Sequence, residues 1–281
     1  MIDLHIHSNF SDGSETPESI IEAAKDTELT AIALTDHDTF DGLERAAKRA
    51  EELGITLIPG CEVSCLYGKN ISVHVLCYFV SDSKSPLGLY LEALQHDRST
   101  RNERLVLKLN ELGMGITLDE VKKEAGVGLI GRPHFAQVLL NHKMVGSLDE
   151  AFTVWLGNNG KAYIPKERIE LEELVQVVSL SGGVTSLAHP LSGSFSFDRL
   201  EQSLAHMKEI GVVGIESYYG KYTPGTILKL VALAEKYGFI PTGGSDFHGK
   251  YKPDLFIGIG QGSLAVPDEV LEKLISAKSN V

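Results

Sequence analysis

Along this chain, short apolar runs with the character of β-strands repeatedly lead into a histidine or an acid, and this repetition limits the fold more than any other feature. Such runs occupy residues 31–34, 56–59, 71–80, 184–187, 212–215 and 239–242, and the chain itself opens on Ile2-Asp3-Leu4-His5-Ile6-His7. Six of the ten histidines fall in or just after them, in His5-Ile6-His7 with Asp12, Thr35-Asp36-His37-Asp38, Val73-His74-Val75, Ala188-His189-Pro190 and Gly244-Ser245-Asp246-Phe247-His248, while Glu62 follows Gly60-Cys61. Helical patterns lie between the runs. Leu43, Ala46, Ala47, Ala50 and Leu53 recur at i, i+3, i+4, i+7, and Leu200, Leu204, Met207 and Val270, Leu271, Leu274, Ile275 follow the same rule. Thr16-Pro17-Glu18 reads as a cap, a first-position proline and a first-turn acid, and Gly54 as a helix stop.

Strands alternating with helices predict an α/β chain with parallel strands. Polar clusters at the carboxyl ends of six or seven successive strands favour a β/α barrel over an open doubly wound sheet, because barrels collect their functional residues on that one rim. Between about residues 97 and 168 the rhythm changes. Leu105, Leu109 and Leu112 mark one helix, residues 117–125 another and 133–140 a third, with no convincing strand. The expected organisation is a barrel of residues 1–96 and 169–281 with a helical insert, 97–168, covering the active site.

Composition narrows the partners. A chain of 281 residues with 43% hydrophobic residues can bury a full core. Lys plus Arg number 26 against 38 Asp plus Glu, a formal charge of −12, which argues against a broad grip on duplex nucleic acid. No apolar run approaches the roughly 18 residues of a membrane span, and the start lacks a basic segment leading into an apolar one, so a cytoplasmic protein is expected. Cys61, Cys65 and Cys77 form no metal-type pair. In an extended strand Cys61 and Cys65 lie about 13 Å apart at roughly 3.3 Å per residue, too far to bridge, so packing thiols in a reducing compartment are expected.

The side-chain period of two places Asp3, His5 and His7 on one face of an extended strand, and Asp246-Phe247-His248 repeats the geometry. Imidazole nitrogen and carboxylate oxygen without thiolate suit zinc, manganese or iron(II). Each residue also has a plainer reading. His74 could be a buried histidine bonded to a carbonyl, Asp12 and His189 could belong to turns, and Asp38 could cap a helix before Thr39. Asp3 and Asp36 are read as partners that orient ligand imidazoles.

Taken in order, Asp3-Leu4-His5-Ile6-His7, Ser11-Asp12-Gly13, Thr35-Asp36-His37-Asp38, Gly60-Cys61-Glu62, His74, Ala188-His189-Pro190 and Gly244-Ser245-Asp246-Phe247-His248-Gly249 resemble the motifs of the PHP (polymerase and histidinol phosphatase) family. That family comprises metal-dependent phosphoesterases on a distorted (β/α)7 barrel. The resemblance implies up to three divalent ions (Mn, Fe or Zn): His5, His7, Glu62 and Asp246 at the first position, Glu62, His74 and His189 at the second, and Asp12, His37 and His248 at the third. It further implies a metal-bound hydroxide held by Glu62, His189 and Asp246 as the nucleophile.

Gly131-Arg132-Pro133-His134 and residues 160–165 are similar to the branch of nucleoside 3′,5′-bisphosphate phosphatases and 5′-to-3′ exoribonucleases. That similarity implies removal of the 3′-phosphate from nucleoside 3′,5′-bisphosphates and trimming of short RNA from the 5′ end. Arg132 and His134 would bracket the start of a helix opened by Pro133, where amides and a guanidinium can hold a second phosphate. Two rival expectations are a histidinol-phosphate phosphatase and a non-catalytic metal- or nucleotide-binding module. Lys250 could touch phosphate or stay solvated, and Tyr218, Tyr219 and Tyr222 could stack a base or pack the rim. His96, His142 and His206 carry no assigned role.

Overall fold

The structure, a computed structural model, describes residues 1–68, 71–165 and 168–279. In chain order these form β1 (Ile2–Ile6), α1 (Pro17–Asp26), β2 (Ala31–Leu34), α2 (Leu43–Leu53), β3 (Thr56–Tyr67), β4 (Ile71–Tyr78), α3 (Pro86–Glu111), α4 (Leu118–Ala125), α5 (Arg132–Asn141) and the single turn α6 (Leu148–Glu150). A π-helical stretch, Ala151–Leu156, follows directly, and then α7 (Leu171–Leu180), β5 (Val184–Ala188), α8 (Phe197–Glu209), β6 (Gly214–Tyr219), α9 (Pro224–Lys236), β7 (Ile240–Gly244) and α10 (Glu269–Lys278). The local signals act as expected at two ends. Thr16 accepts from the Ser19 amide to cap α1, and Gly54 closes α2 with φ 67.

Among the described residues one sheet holds seven strands in sequence order, β1 to β7. It curls until its edges meet, the His7 amide donating to the Phe247 carbonyl at 3.0 Å and the Asp246 amide to the His5 carbonyl at 2.8 Å. Gly244 makes that closure possible, since a Cβ there would stand 2.4 Å from the His5 backbone nitrogen. The α/β barrel is therefore present, but the expectation of parallel strands throughout needs correction. β4 runs antiparallel to both β3 and β5. A parallel link takes a crossover of a dozen or more residues, and the step from Tyr67 to Ile71 leaves room only for a hairpin. β3 also continues to Tyr67, so Glu62 sits inside a strand rather than at its end.

Hydrophobic clusters seal the sheet against the helices that cover it. One gathers Val63, Val75, Leu187 and Ile215 against α7, α8 and α9, and another packs Ile6, Ile32 and Leu34 under α1 and α2. Residues 105–162 pack a cluster of their own around Leu109, Val121, Phe135 and Leu139, all fully buried. Each such side chain contributes about 1.5–3 kcal/mol on burial. Helix α3 runs unbroken past residue 96, carrying the chain from the barrel into this helical cluster.

Candidate metal centre

Residues inside the strands and in the segments that follow them converge on one point. β1 supplies His5, the segment after it His7 and Asp12, the segment after β2 His37, β3 Glu62, β4 His74, the segment after β5 His189, and the segment after β7 Asp246 and His248. All nine residues singled out in the sequence are brought together here. Glu62 is the hub. Its Oε1 lies 3.0 Å from His74 Nδ1 and 3.1 Å from His189 Nε2, and its Oε2 lies 3.1 Å from His7 Nε2, 3.3 Å from His5 Nε2 and 3.4 Å from His37 Nδ1. Asp246 Oδ1 stands 3.4 Å from both His5 Nε2 and His248 Nδ1, and Asp12 Oδ1 3.3 Å from His248 Nε2.

These separations are those between ligands of a shared cation. A donor about 2.1 Å from a metal lies about 3.0 Å from its neighbour in an octahedron and about 3.4 Å in a tetrahedron. Two buried atoms, Glu62 Oε2 and His7 Nδ1, have no hydrogen-bond partner among the described residues, although three imidazole nitrogens surround the former. Nitrogens that ring an oxygen without aiming a proton at it fit a cation between them better than a hydrogen-bond network. Four groups of ligand atoms close enough to share an ion emerge: His7, Asp12, His37, His248; His5, His189, Asp246; His5, His7, Glu62; and His37, Glu62, His74.

The electrostatics of the protein alone show how tightly these groups are coupled. Burial works to raise the carboxyl of Glu62, yet His37, His5 and His74 hold it well below the ordinary range. Asp246 is likewise depressed against its burial by Lys252, His5 and His248, and Asp12 by His37 and His248. His5 and His7, with Nε2 atoms 3.0 Å apart, diverge. Burial lowers both, but Glu216, Glu62 and Asp246 lift His5 well above the usual imidazole value, whereas His248 and His37 help to push His7 well below it.

Several supporting residues differ from the sequence reading. Asp3 accepts from the amides of His5, Ser245 and Gly258, and Asp36 from the Ser8 amide and the hydroxyls of Ser8 and Ser11, so both pin backbone and loop rather than imidazoles. Asp38 does not cap α2, whose first turn begins at Leu43 after Gly42; it pairs with Arg98 of α3. Glu216, which sequence analysis missed, lies 2.9 Å from His5 Nδ1 through its Oε1. A buried acid inside the run Val212-Val213-Gly214-Ile215-Glu216 was the available signal. Lys252 was also missed, and it donates to Asp246 Oδ2 at 2.6 Å beside the Tyr219 hydroxyl at 2.8 Å. Tyr222 accepts the Leu191 amide, Tyr218 packs against the core, and Lys250 pairs with Glu124 at 2.8 Å.

Above the cluster opens a cavity of about 640 Å³. Asp12, His37, His74, His189 and His248 line its floor, and Arg98, Arg101, Arg132, Phe152, Tyr163 and Arg168 its wall. Arg132 stands at the start of α5, its guanidinium donating to the Leu156 carbonyl at 3.2 Å. His134 does not line the cavity. It is fully buried, accepts the Gly131 amide on Nδ1 at 3.0 Å, and sets its ring edge-on to Tyr251. Among the described residues no helix is long and apolar enough to cross a membrane.

The PHP domain family matches residues 3–141. The chain is 30% identical to the 3′,5′-nucleoside bisphosphate phosphatase of Chromobacterium violaceum, over 88% of this chain and 87% of that protein. It is 29% identical to the 5′-3′ exoribonuclease Rnm of Escherichia coli, over 88% of this chain and 84% of that one. A crystal structure of a proposed metal-dependent phosphoesterase from Bifidobacterium adolescentis superposes with a TM-score of 0.86 at 30% identity, covering 98% of this chain and 96% of that one.

Proposed function

The chain belongs to the PHP family, and from that membership we propose that it is a metal-dependent phosphoesterase acting on nucleoside 3′,5′-bisphosphates, where it removes the 3′-phosphate, and on short RNA from the 5′ end. The observation that carries the reading is a cationic wall directly above an imidazole and carboxylate floor, both facing one cavity. His5, His7, Glu62 and Asp246 would hold one cation, Glu62, His74 and His189 a second, and Asp12, His37 and His248 a third. The nitrogen and oxygen donors suit manganese, iron(II) or zinc. Divalent ions bound there would acidify water near neutral pH and neutralise charge on phosphoryl oxygens.

The protein's own groups do the rest. Glu62 and Asp246, buried and hydrogen-bonded or ringed by imidazoles, keep the floor rigid. Lys252 brings a further positive charge to the edge of the floor, next to Asp246 Oδ2. Arg132 would bind the phosphate that does not react, in the bidentate manner a guanidinium allows. His134, by accepting the Gly131 amide, would hold the turn that presents Arg132. Residues 97–168 serve as the insert that covers the mouth and limits water. The buried thiols of Cys61, Cys65 and Cys77 fit a cytoplasmic setting.

The test is a substrate panel with metal-stripped and manganese-reconstituted protein. Phosphate release from a nucleoside 3′,5′-bisphosphate should vanish with chelator and return with manganese, exceeding release from histidinol phosphate. Arg132→Ala should lower kcat/KM for the bisphosphate by about 30-fold or more, the range for losing a charged hydrogen-bonded contact, while a generic aryl phosphate changes less than about threefold. Equal losses on both substrates refute the role of Arg132. Preference for histidinol phosphate, or no metal-dependent release at all, refutes the activity.

A further inference from the structure

Glu216 is fully buried in the middle of β6, at a position where a carboxylate has no reason to sit unless its partners need it. Ile215 beside it turns to the apolar core, so the strand period aims Glu216 at the barrel interior. There its two oxygens divide their work. Oε1 lies 2.9 Å from His5 Nδ1, and Oε2 accepts the backbone amide of His189 at 2.6 Å.

We propose that Glu216 is a positioning residue for the metal centre, fixing the tautomer of His5 and the backbone of His189 at once. The inference rests on reading the cluster as a metal site. An ionised carboxylate only accepts, so the Nδ1 of His5 facing it carries the proton. Once the ring gives up its other proton, Nε2 is bare, and that nitrogen is the one lying 3.3 Å from Glu62 Oε2 and 3.4 Å from Asp246 Oδ1. A ligand imidazole needs this arrangement, its far nitrogen donating to an acceptor while the near one coordinates. His189 adds the second half. Its φ of 26 lies in the left-handed region that a residue with a Cβ avoids, and the Glu216 bond to its amide holds that turn while Nε2 reaches Glu62 Oε1 at 3.1 Å. One side chain thus couples β1 to the segment after β5, across 211 residues from His5 in sequence.

The variant E216Q isolates the claim. Its amide has one acceptor oxygen and one donor nitrogen, so it can serve the His189 amide only by turning its NH2 on His5 Nδ1, which moves the imidazole proton to Nε2. Parent, E216Q and E216D are stripped with chelator, checked by circular dichroism and thermal melting, and titrated calorimetrically with manganese. E216Q should keep cooperative melting without metal, yet bind manganese about 10–100-fold more weakly or lose one equivalent, with E216D recovering part of the affinity. Equal affinity and stoichiometry in parent and E216Q overturn the proposal, as does a loss matched by collapse of the metal-free fold in E216Q and E216D alike. A parent that binds no manganese would instead sink the metal reading. If E216Q alone fails to fold, nitrogen-15 spectra of the zinc-loaded parent decide: a protonated Nδ1 on His5 supports the role, and a protonated Nε2 refutes it.

Discussion

The floor and the wall of the cavity are built on opposite terms. Floor side chains come from strands or the residues that end them, sit mostly out of water, and balance imidazoles against Glu62, Asp246 and Asp12. The wall residues come from α3, α5, the π-helical stretch and the chain that follows it, and the arginines among them crowd one another. Arg101 loses basicity to about 10, through burial first and then through the like charges of Arg98 and Arg132. Arg98 is tied to Asp38, and burial lowers Arg132 as well. Crowded cations in a protein of net charge −12 store repulsion that an anionic ligand relieves. The contrast teaches that the ligand-type side chains come from the strands and the segments that end them, whereas the arginines facing the same cavity come from outside the sheet.

Three perturbations sharpen this division, beginning with the largest. Glu62→Gln removes the charge that five imidazoles share, and kcat should fall by roughly 10³-fold or more on every phosphoester alike, read in steady-state assays with manganese. A loss confined to bisphosphates would break the comparison. Arg101→Met removes one member of the crowd while leaving the floor untouched. KM for a bisphosphate should rise about tenfold with little change for an aryl phosphate, its salt dependence should flatten, and the ligand-free protein should melt no lower than the parent. A matching rise in KM for the aryl phosphate would place Arg101 on the floor's side of the division.

The smallest effect concerns His134, behind the wall. Burial lowers its pKa below the usual imidazole value, and its Nδ1 must stay unprotonated to accept the Gly131 amide. The unfolded chain takes up this proton from about pH 6.5 downward while the folded one resists, so the contribution to stability is complete above that pH and is lost on acidification. Urea unfolding between pH 7.5 and 5.5 should therefore show a shallower decline for His134→Gln than for the parent, by at most about 1.4 kcal/mol per pH unit. Identical slopes would show that the ring is not buried neutral.

Much of the floor was legible because its signals are short-range. The His-x-His and Asp-x-His patterns need only the period of a strand, the cap at Thr16 and the stop at Gly54 only one turn of helix. The reversal of β4 was not readable, because β3 runs on to Tyr67 only in the structure, and apolar periodicity says nothing of strand direction. Glu216 escaped notice because an acid in a strand means little until its partners are known, and Lys252 and Arg101 because a cation on a loop or helix is usually solvated.

Local sequence determined which residues are ligand-like, where strands and helices begin, and that a helical segment interrupts their alternation. Tertiary structure alone decided that β1 meets β7, that Glu62 faces five imidazoles, and that Arg98, Arg101 and Arg132 line the same cavity as three of them. Backbone periodicity acts over a few residues, whereas convergence depends on how a closed sheet and a packed helical cluster bring together groups hundreds of residues apart.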